Sequence, residues 1–355
     1  LPTVLLTGAG SFIGHHVLEH ILVNTDWDVT GTDSFRHKGK TDRVAEVLDK
    51  HPDWRARVTI ITHDLAAPFS RQTVAALPWI DYVIALASLS HVDTSIEDPV
   101  PFVQNNVQVA LNTLELCREI QPASVILIST DEVYGPVEKG HAHPEWAPVL
   151  PSNPYAGSKA CQEALAISWW RTYGVPVILT NIMNATSERQ DPVKYVPMLI
   201  GKISRGETVR IHGRPGDIGS RHYIHARNIA DALVFILRNL PPAAFPAHLK
   251  ELERNGQVRG LPPWRTADRP DRYNIAGDEP TDNLELAQMV ADIIGEPLRY
   301  ELVDFHAARP GHDPHYGLSM AKLAGLGWKP PVSFRESLEH TVRWTLANPR
   351  WLLDD

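Results

Sequence analysis

An α/β fold built on a doubly wound parallel sheet is predicted by three features of the 355-residue sequence. Short apolar runs rich in Val, Ile and Leu recur at 3–7, 27–32, 57–61, 81–86, 124–129 and 176–181. Longer stretches with helical spacing separate them, near 12–24, 41–50, 99–119 and 155–173. The first run meets a glycine-rich turn, Thr7-Gly8-Ala9-Gly10-Ser11-Phe12-Ile13-Gly14. Runs that apolar suit strands buried on both faces of a parallel sheet, which needs helices above and below it. Residues 1–181 are therefore read as a Rossmann-type domain.

From 182 the texture changes to shorter elements with many Pro and Gly and a group of basic residues, Lys194, Lys202, Arg205, Arg210, Arg214 and Arg221. This half, 182–355, is read as a smaller α/β substrate domain closing over a ligand, with a segment near 221–240 returning to the first domain. Residues 241–272 have little periodicity and read as an extended loop or insertion with one short helix near 247–254.

With 43% apolar and 21% charged residues, the chain can bury a full core. Its 34 Lys and Arg against 42 Asp and Glu give a net charge of −8, so no basic field exists to attract nucleic acid. Two cysteines, Cys117 and Cys161, lie in amphipathic stretches and read as small buried residues of a reducing compartment. The opening residues lack a signal-peptide pattern, and no uncharged run spans a bilayer. A cytoplasmic protein that engages no membrane is expected.

At the first turn, glycines allow backbone amides to approach a pyrophosphate while the following helix offers its positive end. Gly8, Gly10, Ser11, Phe12, Ile13 and Gly14 are thus candidates for binding a dinucleotide. Asp33 ends the second run about 20 residues on, where a carboxylate accepts hydrogen bonds from an adenosine ribose and repels a 2′-phosphate. It favours NAD over NADP, and the neighbouring Arg36, His37, Lys38 and Lys40 read as a solvated loop. Asp64, followed by Leu65, falls where an adenine edge would lie.

Among nine tyrosines, Tyr155 alone has a lysine four residues on, Lys159. On a helix the two share a face, and an ammonium there lowers a phenol toward neutrality, making Tyr155 a base for a hydroxyl proton. The fifth run ends in Ser129-Thr130-Asp131-Glu132, at the carboxyl edge where open α/β sheets place their sites. Two adjacent carboxylates at that edge are either a solvated turn or an acid/base pair.

These motifs resemble the extended short-chain dehydrogenases of the NAD-dependent epimerase/dehydratase family, and within it the dTDP-glucose and UDP-glucose 4,6-dehydratases. The resemblance implies an NAD cofactor and a nucleotide-sugar substrate. It also implies oxidation at C4 by Thr130, Tyr155 and Lys159, removal of the C5 proton by Glu132, protonation of the departing 6-hydroxyl by Asp131, and hydride return to C6. Asp131 must then hold a proton near neutral pH, which needs burial or a like-charged neighbour.

The same likeness assigns Ala87 and Asn106 to the cofactor and Ser90 and His91 to the sugar. Asn184, Gln190, Lys194 and Pro197 are assigned to the nucleoside diphosphate, and Arg221, Arg309 and His312 to phosphate-contacting segments. A homodimer paired through 99–119 and 155–173 is implied as well. Departures from the family pattern occur at Ser11, Leu89, Thr94, Asn181, Ala185-Thr186-Ser187 and His222-Tyr223, and all but Ser11 are expected to line the sugar and phosphate pocket. The histidine pairs His15-His16, His141 with His143, and His312 with His315 come without the spacing of a zinc motif, so no metal is expected. The ten tryptophans, Trp169 and Trp170 among them, read as core or subunit-contact residues. A 4-epimerase or a 5,6-dehydratase remains an alternative reading, as does a non-catalytic NAD-binding module.

Overall fold

The computed structural model describes residues 1–248, 254, 265–304 and 314–353. Seven strands form one sheet: β1 (Thr3–Thr7), β2 (Asp28–Asp33), β3 (Val58–Thr62), β4 (Tyr82–Ala85), β5 (Ser124–Thr130), β6 (Val177–Ile182) and β7 (Asp271–Ile275). Their order is β7-β6-β5-β4-β1-β2-β3, and every neighbouring pair is parallel. The winding reverses between β1 and β4, so a crevice opens beyond the carboxyl ends of those strands.

The principal helices are α1 (Gly14–Asn24), α2 (Thr41–Leu48), α3 (Arg71–Ala76), α4 (Val92–Glu97), α5 (Pro99–Ile120), α6 (Pro154–Tyr173), α7 (Tyr195–Ser204), α8 (Ala226–Asn239), α9 (Asn283–Ile294) and α10 (Phe334–Ala347). Successive strand residues go to opposite faces. Val4, Leu6, Ile126 and Ile128 pack with Val17, Leu18 and Ile21 of α1 and Ile229, Leu233 and Ile236 of α8. Leu5, Val125 and Leu127 pack on the other face with Leu114 of α5 and Ala166 and Trp170 of α6. Each such buried aliphatic side chain contributes about 1.5–3 kcal/mol relative to exposure. A separate core joins Leu199 and Ile200 of α7, Leu286 and Val290 of α9, and Leu338 and Val342 of α10.

The last strand departs from the sequence reading. Residues 271 and 272 were expected within a loop or insertion, yet they open β7, which completes the sheet beside β6. Its sequence, Asp271-Arg272-Tyr273-Asn274-Ile275, is buried throughout although mostly polar. Arg272 and Asn274 spend their polar groups inside a buried hydrogen-bond network, so no apolar run marks the strand. The helix expected near 247–254 lies largely outside the described residues. Cys117 is buried and its thiol is pushed up to about 12 by burial, whereas Cys161, expected to be buried, is exposed. Trp170 is buried and donates to the Ala243 carbonyl, while Trp79 is exposed. Among the described residues, no helix is long and apolar enough to cross a membrane.

Candidate active site

At the end of β1 the chain turns through Gly8, whose φ of +72° favours glycine. A Cβ on Gly14 would stand 1.9 Å from the Gly8 carbonyl oxygen, so only glycine lets α1 begin flush against the turn. Ser11 accepts a hydrogen bond on Oγ from the Gly14 N–H at 3.0 Å, and thereby closes the start of α1. Arg43 reinforces the loop from behind. Its buried guanidinium donates to the carbonyls of Gly10, Lys38 and Arg189.

Asp33 ends β2 beside this loop, with Oδ2 accepting from the Gly10 N–H at 3.0 Å and Oδ1 from the Phe35 N–H at 2.9 Å. The carboxylate thus fixes the rim of the candidate cofactor groove and lies next to the phosphate turn. A turn packed this tightly onto α1, with a carboxylate at the neighbouring strand end, suits a dinucleotide with an unphosphorylated ribose. Asp64 pairs with Arg36 at 2.8 Å, and Lys38 pairs with Asp191 at 2.6 Å. The loop expected to be merely solvated is therefore exposed but ion-paired. Ala87 follows β4, its N–H held by Thr7 Oγ1 at 3.0 Å. Asn106, assigned to the cofactor, is wholly buried: it exchanges hydrogen bonds with the backbone of Leu89 and donates to Ser158 Oγ, tying that loop to α6. Leu65 is likewise buried.

The chemical centre gathers where β5 stops. Thr130 donates its hydroxyl to Asp131 Oδ1 at 2.9 Å. Asp131 is only 4% exposed, and its Oδ2 is buried with no hydrogen-bond partner among the described residues. Burial, and then the charge of Glu132, push its carboxyl up to about 7, against the Thr130 hydrogen bond. Glu132 sits in the next half-turn and accepts from Asn153 Nδ2 at 2.8 Å. Tyr155, in the first turn of α6, has its phenol close enough to Thr130, Asp131 and Glu132 to feel all three. Thr130, Asp131, Glu132 and Tyr155 thus form one contiguous cluster.

Lys159 corrects the expectation about the phenol. Its ammonium donates to the Ile128 carbonyl at 2.7 Å and to Gln162 Oε1, so its donors point at the strand and the helix interior. Burial pulls it down to about 8, against the opposing charge of Glu163. The Tyr155 phenol is correspondingly not lowered. Burial and then Glu132 hold it well above its usual range.

Among the residues expected to meet substrate, Lys194 Nζ approaches the Ser90 carbonyl at 3.4 Å, bringing together two segments 104 residues apart. His91 accepts from the Thr94 N–H and caps α4. Arg221 lies over the Tyr316 ring at 4.4 Å, donates to the Pro314 carbonyl, and is close enough to Asp131 to favour its anion. Asn184 has a φ of +36° at the turn before residues 185–186. Arg309 and His312 lie outside the described residues. Gln190 and Pro197 are buried, Gln190 donating to the Ala185 carbonyl.

Several departures expected to line the pocket are buried and bonded to other parts of the protein. Asn181 is wholly buried and donates to the Thr130 carbonyl and to Glu163. Tyr223 packs on Phe334 and donates to Asn283. Ser187 lies 2.7 Å from His16 Nε2, beneath α1. These side chains are drawn inward because each finds a buried polar partner. The histidines do the same. His15 and His16 are buried, and burial first pulls His16 down to about 3, leaving it neutral. His315 pairs with Asp217. Among the described residues no group of three His, Cys, Asp or Glu side chains is arranged to hold a metal.

Two contributors escaped the sequence reading. Arg272 pairs with Glu163 at 2.6 Å and donates to Tyr134, forming a buried brace under the end of β5. Asn153 caps α6, and an Asn-Pro pair at a helix start was the available signal.

The model of the family described as GDP-mannose 4,6 dehydratase matches residues 5–341. A dTDP-glucose 4,6-dehydratase of Neisseria meningitidis is 30% identical, over 98% of this chain and 94% of that protein. The crystal structure of a Streptomyces venezuelae dTDP-glucose 4,6-dehydratase with NAD bound is 28% identical, covers 98% of both chains and superposes with a TM-score of 0.80. A Thermus thermophilus UDP-glucose 4-epimerase in complex with NAD is 26% identical, covers 96% of this chain and 98% of its own, and gives a TM-score of 0.77.

Proposed function

The chain belongs to the GDP-mannose 4,6 dehydratase family of extended short-chain dehydrogenases, and from that premise we propose that it is an NAD-dependent nucleotide-hexose 4,6-dehydratase. The observation that carries this is Asp131, a buried carboxyl held near pH 7 beside Glu132. An epimerase needs only to oxidise and re-reduce C4. A dehydratase also needs a proton donor for the leaving 6-hydroxyl, and a carboxyl near 7 is matched to that task.

The glycine turn and Asp33 would hold NAD, which supplies a hydride acceptor for C4 and a hydride donor for C6. The 4-hydroxyl proton would pass by way of Thr130 to Tyr155 acting as a phenolate. Within the protein alone that phenol is held above its usual range. The lowering that Lys159, turned to Ile128 and Gln162, does not supply would come from the positive charge of bound NAD. The ketone at C4 acidifies the C5 hydrogen, which Glu132 removes. Asp131 delivers its proton to the 6-hydroxyl, water leaves, and Glu132 gives a proton back to C5 once C6 has been reduced. Lys194, Ser90 and Arg221 are assigned to the nucleoside diphosphate and sugar, with Arg221 suited to a phosphate by its planar fork.

The similar dTDP-glucose 4,6-dehydratases make dTDP-glucose the first substrate to try, followed by UDP-glucose and GDP-mannose. In deuterated water the expected product is a 4-keto-6-deoxyhexose nucleotide with deuterium at C5, formed without net NADH. The similar 4-epimerase supports a second reading, 4-epimerisation. A product inverted at C4 with its 6-hydroxyl intact would establish that reading instead.

A further inference from the structure

We propose that Asn153 is a positioning residue for the proposed reaction, holding the Glu132 carboxylate against the first turn of the helix that carries Tyr155. The proposal rests on the dehydratase reading, in which Glu132 takes the C5 proton.

Asn153 is 8% exposed and has two opposed duties. Its Oδ1 accepts from the Ala156 N–H at 2.8 Å and caps α6. Its Nδ2 donates to Glu132 Oε2 at 2.8 Å. The cap alone does not call for asparagine, since serine and aspartate cap equally well. Of these three side chains, asparagine couples the capping acceptor to an N–H donor that can reach a carboxylate.

The base and the phenol belong to separate elements. Glu132 follows β5, whereas Tyr155 starts α6, where its N–H is held by Ser95 Oγ at 3.1 Å. The Asn153 amide is a direct side-chain tie between them. Asp131 and Tyr155 both feel the Glu132 charge, so a donor on that carboxylate steadies the charged neighbour that, after burial, raises Asp131.

Asn153→Ser keeps a capping oxygen and removes the donor, while Asn153→Ala removes both. For Asn153→Ser we expect an unchanged melting temperature, normal NAD content, and normal reduction of bound cofactor on mixing with dTDP-glucose. Loss of the C5 hydrogen should slow about tenfold, less than the roughly 10²–10⁴-fold that losing a general base outright costs. A substrate deuterated at C5 should show a larger isotope effect than with the wild type, and KM should not move. Asn153→Ala should melt lower in addition.

Wild-type elimination and isotope effect in Asn153→Ser would overturn the proposal, as would a parallel loss of C4 oxidation. If the wild-type protein makes no 6-deoxy product, the dehydratase reading has failed on its own. The infrared carboxylate band that disappears in Glu132→Gln then decides. A band shifted in Asn153→Ser sustains the tie between Asn153 and Glu132, and an unshifted band overturns it.

Discussion

Two buried carboxylates in this protein, Asp131 and Glu188, are driven in opposite directions. Asp131 is 4% exposed and Glu188 is 6% exposed, so burial is nearly the same. Asp131 has a hydroxyl donor on one oxygen, a second oxygen without a partner among the described residues and a like charge beside it, and is pushed up to about 7. Glu188 is also pressed upward by burial, but a hydrogen bond from His225 at 3.0 Å and the His340 ring nitrogen at 3.7 Å outweigh this and hold it well below the usual carboxylate range. The neighbours, rather than the depth, decide which carboxyl keeps a proton. The first keeps a proton that it can give up near neutral pH. The second fastens α8 and α10 to the loop behind the candidate cofactor groove.

The largest effect is expected on replacing Asp131. Asp131→Asn should lower the dehydration rate by about 10²–10⁴-fold, while mixing with substrate still reduces bound NAD, seen as a lasting absorbance of NADH. Stability should move the other way. A carboxyl raised in the folded state contributes stability below its unfolded value near 3.8 and loses it as pH rises through about 7. The neutral amide of the variant escapes that loss, so Asp131→Asn should melt above the wild type at pH 8 and close to it at pH 4.

Glu188→Gln is expected to act on stability instead of chemistry. A depressed carboxyl contributes stability above its unfolded value near 4.5 and loses it as pH falls toward the folded one. The variant should lose about 1–3 kcal/mol at pH 7 in denaturant unfolding, as expected when a charged hydrogen-bond acceptor is removed. Its stability should also fall less steeply between pH 5 and pH 3 than that of the wild type. A variant with impaired C4 oxidation and unchanged unfolding would break the contrast between the two carboxylates.

A smaller effect is expected at the phosphate turn. Ser11→Gly removes the oxygen that receives the Gly14 N–H, a contact equivalent to a helix cap. Calorimetry should show NAD affinity within about fivefold of the wild type, equal to roughly 1 kcal/mol, because the amides of the turn remain.

The sheet was legible in the sequence wherever burial is apolar. Strands β1 to β6 and helices α1, α5 and α6 lie within two residues of the periodic pattern. Strand β7 was not, because its buried polar side chains meet partners on α6 and at Tyr134, His143 and Ala243 that are remote in sequence. The expected cluster of Thr130, Asp131, Glu132 and Tyr155 does come together, since the end of one strand and the first turn of one helix carry it. Lys159 shows where spacing alone misleads. A lysine four residues from Tyr155 shares its helix face, yet its ammonium is captured by Ile128 and Gln162. Asn181, Ser187 and Tyr223, expected to line the pocket, likewise have partners within the protein. A polar residue near a site looks like a ligand contact until a buried partner is found for it.

The most direct test of the proton on Asp131 is the pH dependence of the elimination step, followed in single turnover after the cofactor has been reduced by substrate. The predicted rate falls as pH rises through about 7, and Asp131→Asn lacks that descending limb. An elimination rate that stays level up to pH 9 in the wild-type protein would contradict the assignment of Asp131 as the acid.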